Sequence, residues 1–289
     1  MANRSYLYSL TNRPTSYTDR PETISGVSEW NYDIPFMYRL LMSGDPQLCA
    51  SLISDGLEDD EETGQKGKLY AISGRFEPGF ARVKRLIDIV RYLAAQAPLP
   101  APAPAAPPVV AAAPKATSLV DRLKGWFSPP AASPKAPPAA VSPASATPAT
   151  GSTLLPKWLD ETLAFLEAHR NEHLLLETIE LDTMYESEEA PLRACVEKEL
   201  ARCQQAGAAL DALPQDIAAA AQLLREAGAT QQAAPLDAFF GLRFDDDCDS
   251  TRTRATEYPL GLQWSEILYF GLFNRAEFEE ATRGDAAAA

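Results

Sequence analysis

The chain has 289 residues with 26 Lys+Arg against 40 Asp+Glu, a formal charge of −14. That balance disfavours DNA, RNA and anionic membrane surfaces, because phosphate contacts need clustered Lys and Arg. The start (Met1-Ala2-Asn3-Arg4) carries no apolar signal region and no apolar run approaches a membrane span, so a cytoplasmic location with reduced thiols is expected for Cys49, Cys195, Cys203 and Cys248.

Arg4 to Leu10 alternates and is aromatic, which predicts a strand. Asn12 to Glu29 contains Pro14, Pro21 and Gly26 and reads as a turn-rich crossing loop. Asp33 is placed to cap a helix carrying Phe36, Met37, Leu40 and Leu41, ended by Gly44. Asp45-Pro46 then reads as N-cap and first position of a second helix, with Leu48, Cys49, Leu52 and Ile53 on its apolar side and Gly56 as its stop. Lys68 to Ser73 predicts a second strand, and Phe80, Val83, Ile87, Val90 and Leu93 an amphipathic helix. The order β-α-α-β-α suggests a small α+β domain over residues 1–97.

Residues 98–153 are dominated by proline and alanine. Proline removes the amide donor and pushes the preceding residue out of the helical region, so this stretch is expected to be a disordered, polyproline-like spacer. At about 3.1 Å per residue such a spacer reaches beyond roughly 100 Å when extended. One amphipathic island, Thr117 to Phe127, sits inside it. Leu123, Trp126 and Phe127 would share an apolar side suited to a partner's groove or to the protein's own surface.

From Pro156 onward the pattern is mainly helical. Leu159, Leu163 and Leu166 mark one helix ending near His169. Glu172 to Met184 fits either a continuation of that helix or a strand, since periodicity does not separate the two in so short an apolar run. A long helix from Glu188 to about Leu210 and another opened by Pro214-Gln215-Asp216 follow. Phe239 to Phe244 and Tyr258 to Leu262 suggest short strands around a polar loop. Trp264 to Phe273 is apolar enough to predict a buried C-terminal helix. This second block carries 11 basic and 26 acidic residues. The two blocks read as separate domains, or as one shared core from which the spacer loops out.

The opening Asn3 to Ser9, followed by Ser28 to Pro35 with its Trp-Asn-Tyr-Asp-Ile-Pro run, resembles an uncharacterised family of bacterial proteins with the same start. The resemblance covers roughly the first 95 residues and extends to the aromatic C-terminal segment. It implies company among toxin–immunity or accessory genes, and it transfers no activity and no functional residue.

Three sets of residues invite chemistry. Trp30 and Tyr32 stand beside Asp33 at a helix entrance, as a recognition pocket or as a hydrophobic staple. His169, Glu172 and His173 match the His-x-x-Glu-His spacing of inverted zinc peptidases, where two imidazoles on one helical face share a metal and the glutamate activates its water. Asp245, Asp246, Asp247 and Asp249 form the densest acid cluster, without the glycine and distal glutamate of a calcium loop, and with Arg243, Arg252 and Arg254 close by. No P-loop, GxGxxG or GxSxG string is present, and no cofactor is implied. The expected function is protein binding, immunity-like or regulatory, with the acidic second block covering a basic partner protein; the alternatives are a metal-dependent hydrolase and a structural adaptor tethered by its spacer.

Overall fold

A computed structural model describes residues 3–57, 66–96, 154–250 and 256–288. The spacer over 98–153, with Leu123, Trp126 and Phe127, lies outside the described residues.

Five strands form one antiparallel sheet: β1 (Arg4–Leu10), β2 (Ile24–Asn31), β3 (Gln47–Ala50), β4 (Tyr70–Arg75) and β5 (His173–Glu177), in the order β2-β1-β5-β4-β3. Mixed α+β is therefore the observed class. The central strand comes from beyond the spacer. Leu176 of β5 pairs with Leu7 on one side and Ile72 on the other. Met1–Ala97 and Gly151–Ala289 thus build one compact unit rather than one core each.

The helices are α1 (Phe36–Met42), α2 (Phe76–Ala95), α3 (Leu155–Ala168), the single turn α4 (Ile179–Asp182), α5 (Glu189–Asp211), α6 (Ile217–Ala229) and α7 (Arg275–Ala288). One sheet face carries Leu7, Ile72, Leu174 and Leu176 and packs against α1, α2 and α5, with α3 and α6 set against α2, in the main core. Pro156 sits in the first turn of α3, as its fixed φ favours. Asp216 caps α6 by accepting from the Ala219 amide at 2.8 Å. Arg85 of α2 donates to the carbonyls of Leu210 and Leu213, satisfying acceptors left open where α5 ends.

Three expected elements are replaced. Ile24 to Asn31, which begins inside the expected loop and runs past its end at Glu29, is a strand, because its backbone pairs with β1 along its whole length, with a bulge between Leu7 and Tyr8. The helix expected after Asp45-Pro46 is instead β3. Asp45 takes φ +54, outside the right-handed helical region, and Gln47 to Ala50 pair with Ser73 to Tyr70. The first-block order is therefore β-β-α-β-β-α, not β-α-α-β-α. The ambiguous 172–184 stretch resolves into β5 followed by α4.

The third replacement concerns Trp264 to Phe273, which is an extended strap and not a helix. Trp264 packs on the helix side, its indole N–H donating to the Thr162 hydroxyl at 2.8 Å. The Ser265 amide then donates to the Val27 carbonyl of β2. Leu268, Phe270 and Leu272 pack beneath the opposite sheet face, against the cluster of Tyr6, Tyr8, Leu10 and Leu175. The strap thus wraps round the β2 edge from one face of the sheet to the other, and α7 begins only at Arg275. The stretches expected as strands near Phe239 and Tyr258 reduce to one bridge, Leu242 to Tyr258, after a 3-10 turn at Leu236–Phe239.

Candidate functional site

Alternation along the strap decides which of its side chains are available. In an extended chain successive side chains point to opposite sides. With Leu268, Phe270 and Leu272 turned inward, Ile267, Tyr269 and Phe273 turn outward, and they are 82 %, 63 % and 54 % exposed. The strip is fastened to β2: the Glu29 carboxylate accepts from the Tyr269 amide at 2.5 Å, and the Arg4 guanidinium lies 4.3 Å from the Tyr269 ring centroid. Glu29 also borders a cavity of about 440 Å³ with Trp30, Tyr32 and Asp249. The structure therefore brings Trp30, Tyr32 and Asp249 together, next to a surface the sequence reading placed inside a buried helix.

Trp30 is half-buried and packs on the main core, whereas Tyr32 is 62 % exposed with φ +59. Asp33 does not cap α1. Its carboxylate accepts from the Ile34 amide next to it, and the first amides of α1, Phe36 and Met37, donate to the carbonyls of Pro259 and Leu260.

The acid cluster does different work at each position. Asp246 accepts from the amides of Leu154 and Leu155 and so closes the start of α3. Asp245 accepts from the Asp247 amide. Asp249 accepts from the amides of Gly261 and Leu262 at 2.6 Å each; burial raises its pKa while those amides oppose the shift.

The His-x-x-Glu-His residues are separated by a change of element. α3 stops at Ala168, His169 is its C-cap, and His173 begins β5, so the two imidazoles do not share a helical face. His169 stacks on Phe165 with centroids 4.0 Å apart and its Nε2 lies 3.2 Å from the Glu266 carboxylate. Burial lowers the pKa of His173. Among the described residues, no group of three or more His, Cys, Asp or Glu side chains is placed to hold a metal ion. Cys49, Cys203 and Cys248 are buried and Cys195 half-buried, and burial raises all four thiol pKa values, which favours the protonated thiol at neutral pH.

Sequence reasoning, which offers Glu177 only as a carboxylate ligand on a helix continued past His173, missed its burial on a strand. This carboxylate sits fully buried on β5, bonded to Ser51 and Leu52, and burial pushes its pKa up to about 7. It missed the exposed strip as well, although the two-residue alternation of Ile267, Tyr269 and Phe273 with Leu268, Phe270 and Leu272 was open to view.

Among the described residues no helix is long and apolar enough to cross a membrane. No curated protein and no solved structure matches the chain. A family model described as a domain of unknown function (DUF7822) matches residues 11–126, so the resemblance of the N-terminal part is to an uncharacterised family, and no activity comes with it.

Proposed function

We propose that the chain is a non-enzymatic protein-binding protein, immunity-like or regulatory in kind, which covers a basic surface of its partner. The observation that supports this reading is the outward strip of Ile267, Tyr269 and Phe273, on a segment held at both ends by the fold. Large apolar side chains exposed in series are expensive to leave in water, and anchors of this kind supply most of the energy of protein interfaces. Glu29 and Glu266 flank the strip, and the formal charge of −14 favours encounter with a cationic partner.

Affinity capture from native lysate at low and high salt identifies the partner, after which Kd is measured for the parent, Tyr269→Ala and Ile267→Ser. The expected result is a partner with a basic face, association that slows with salt, and weakening of about tenfold or more in either variant. Capture of no protein at either salt, or unchanged Kd in both variants, sinks the reading.

A further inference from the structure

The sheet has two edges, and they are treated differently. The strap crosses the β2 edge. At the β3 edge a cavity of about 580 Å³ opens, within the size range of ligand pockets.

In an antiparallel ladder, residues alternate between those whose N–H and C=O face the neighbouring strand and those whose groups face away. The Ser51 amide donates to the Leu69 carbonyl at 3.1 Å, and the register continues through Cys49 to Ala71 and Gln47 to Ser73. Gln47, Cys49 and Ser51 therefore belong to the inward set. Leu48 and Ala50 turn their backbone donors and acceptors outward, and both residues line the cavity. Among the described residues no hydrogen bond reaches these outward groups. An edge left open in this way is a template for another strand.

The two walls of the cavity differ. On the side of the sheet that bears Cys49 and Ser51, the wall is formed by Thr15 and Tyr17. On the helix side stand Lys68, Tyr70 and Arg193; the Arg193 guanidinium lies 5.2 Å from the Tyr70 ring centroid and is paired with Glu197 at 2.8 Å, and Glu189 accepts from the Lys68 amide and the Tyr70 hydroxyl. Lys68 forms no ion pair among the described residues, and Asp55 is bonded to Lys66 at 2.6 Å. A strand laid along β3 would point alternate side chains at these two walls.

We propose that the β3 edge binds an extended segment of a partner protein as a sixth strand, with an acidic side chain set against Lys68. The backbone of Leu48 and Ala50 supplies the ladder, and the Lys68 ammonium selects the sequence. A second copy of this chain fits less well. A two-fold pairing of β3 with itself keeps corresponding faces on one side, which would bring two Lys68-bearing walls together.

The test uses the full chain and a short random-peptide phage library. Peptides enriched on the protein are synthesised, and binding is measured by titration and by amide exchange. The expected result is enrichment of an acidic position, exchange at Leu48 and Ala50 slowed about tenfold or more on binding, and affinity loss of similar size in Lys68→Glu that is reversed by the matching acid-to-lysine peptide. N-methylation of alternate peptide amides should abolish binding while the intervening positions tolerate it; this arm needs no change in the protein. No enriched peptide, protection confined to other amides, or sedimentation showing a dimer that Lys68→Glu leaves intact and that protects the β3 amides would each overturn the proposal.

Discussion

The Ser51 hydroxyl donates to the Glu177 carboxylate at 2.9 Å, and the Leu52 amide donates to its other oxygen at 2.7 Å, across more than 120 positions of sequence. This carboxylate lies on the central strand with Tyr6 directly opposite and Arg20, itself buried, nearby. It ties the segment after β3 to the half of the chain beyond the spacer.

Burial raises Glu177 to about 7 from an ordinary value of 4.5, against the opposing hydrogen bonds from Leu52 and Ser51. The folded state therefore holds its proton more tightly than the unfolded chain does. The resulting stability is fully present below about 4.5, is lost as pH rises through about 7, and is on the order of 3 kcal/mol at its full extent. Glu177→Gln keeps a hydrogen-bonding group without the charge. Its Tm relative to the parent should be near zero or below at pH 4.5 and should rise by several degrees by pH 8. A difference that stays constant with pH would show that Glu177 does not titrate in this range.

Arg39 of α1 and Glu199 of α5 form a buried, two-pronged ion pair, with 12 % and 5 % of their side chains exposed. Removing one partner strands the other charge, whereas replacing both by apolar groups removes the desolvation cost together with the attraction. Arg39→Met should cost about 3 kcal/mol in urea unfolding, toward the lower end for such pairs because Arg202 also reaches Glu199 at 3.0 Å. Adding Glu199→Leu should recover most of that loss. A double variant as unstable as the single one would mean that packing, rather than the stranded carboxylate, sets the cost.

What the sequence revealed and what it hid follow one physical line. Helices with local punctuation were legible: Pro156 before α3, Asp216 capping α6, and the apolar spacing of α2. Segments whose structure comes from distant pairing were not. Leu48, Cys49, Leu52 and Ile53 have helical spacing, but β4 offers Leu48 and Cys49 a ladder and Asp45 turns the chain away from a helix. Ile24 to Asn31 carries serine and glycine like a loop, and only β1 makes it a strand. The strap read as a buried helix because its apolar content is high, and its period of two was the stronger signal. For the candidate site, Trp30, Tyr32 and Asp249 were each singled out, yet their common cavity is created by the fold alone.

Gly79 marks the closest approach of two helices. A Cβ placed there would stand 1.8 Å from the Leu41 carbonyl oxygen of α1, a backbone atom with nowhere to go. Gly79→Ala should therefore force α1 and α2 apart and cost roughly 2–3 kcal/mol, despite the better helix propensity of alanine. Gly284 in α7 has nothing within 4 Å. Gly284→Ala should be neutral or slightly stabilising, by less than about 1 kcal/mol. Thermal unfolding of the two variants checks both, and an unaffected Gly79→Ala would refute the tight crossing.

The placement of β5 makes a prediction about the halves of the chain. Residues 1–97 contain four of the five strands, but β1 and β4 have no common partner without His173 to Glu177 between them. That fragment alone leaves Leu7 and Ile72 without Leu174 and Leu176 and leaves the inner edges of two strands open, so it should aggregate or show no cooperative melt. Residues 151–289 alone should keep helical content yet lack the sheet that α5 packs against. Mixing the two should restore a cooperative transition, since β5 from the second fragment can then pair with β1 and β4 of the first. The restored complex should become concentration-dependent, because a tether supplies an effective concentration that free fragments lack. Circular dichroism and calorimetry on each fragment and on their mixture decide the matter, and a cooperative melt of residues 1–97 alone would show that the first block completes its own core.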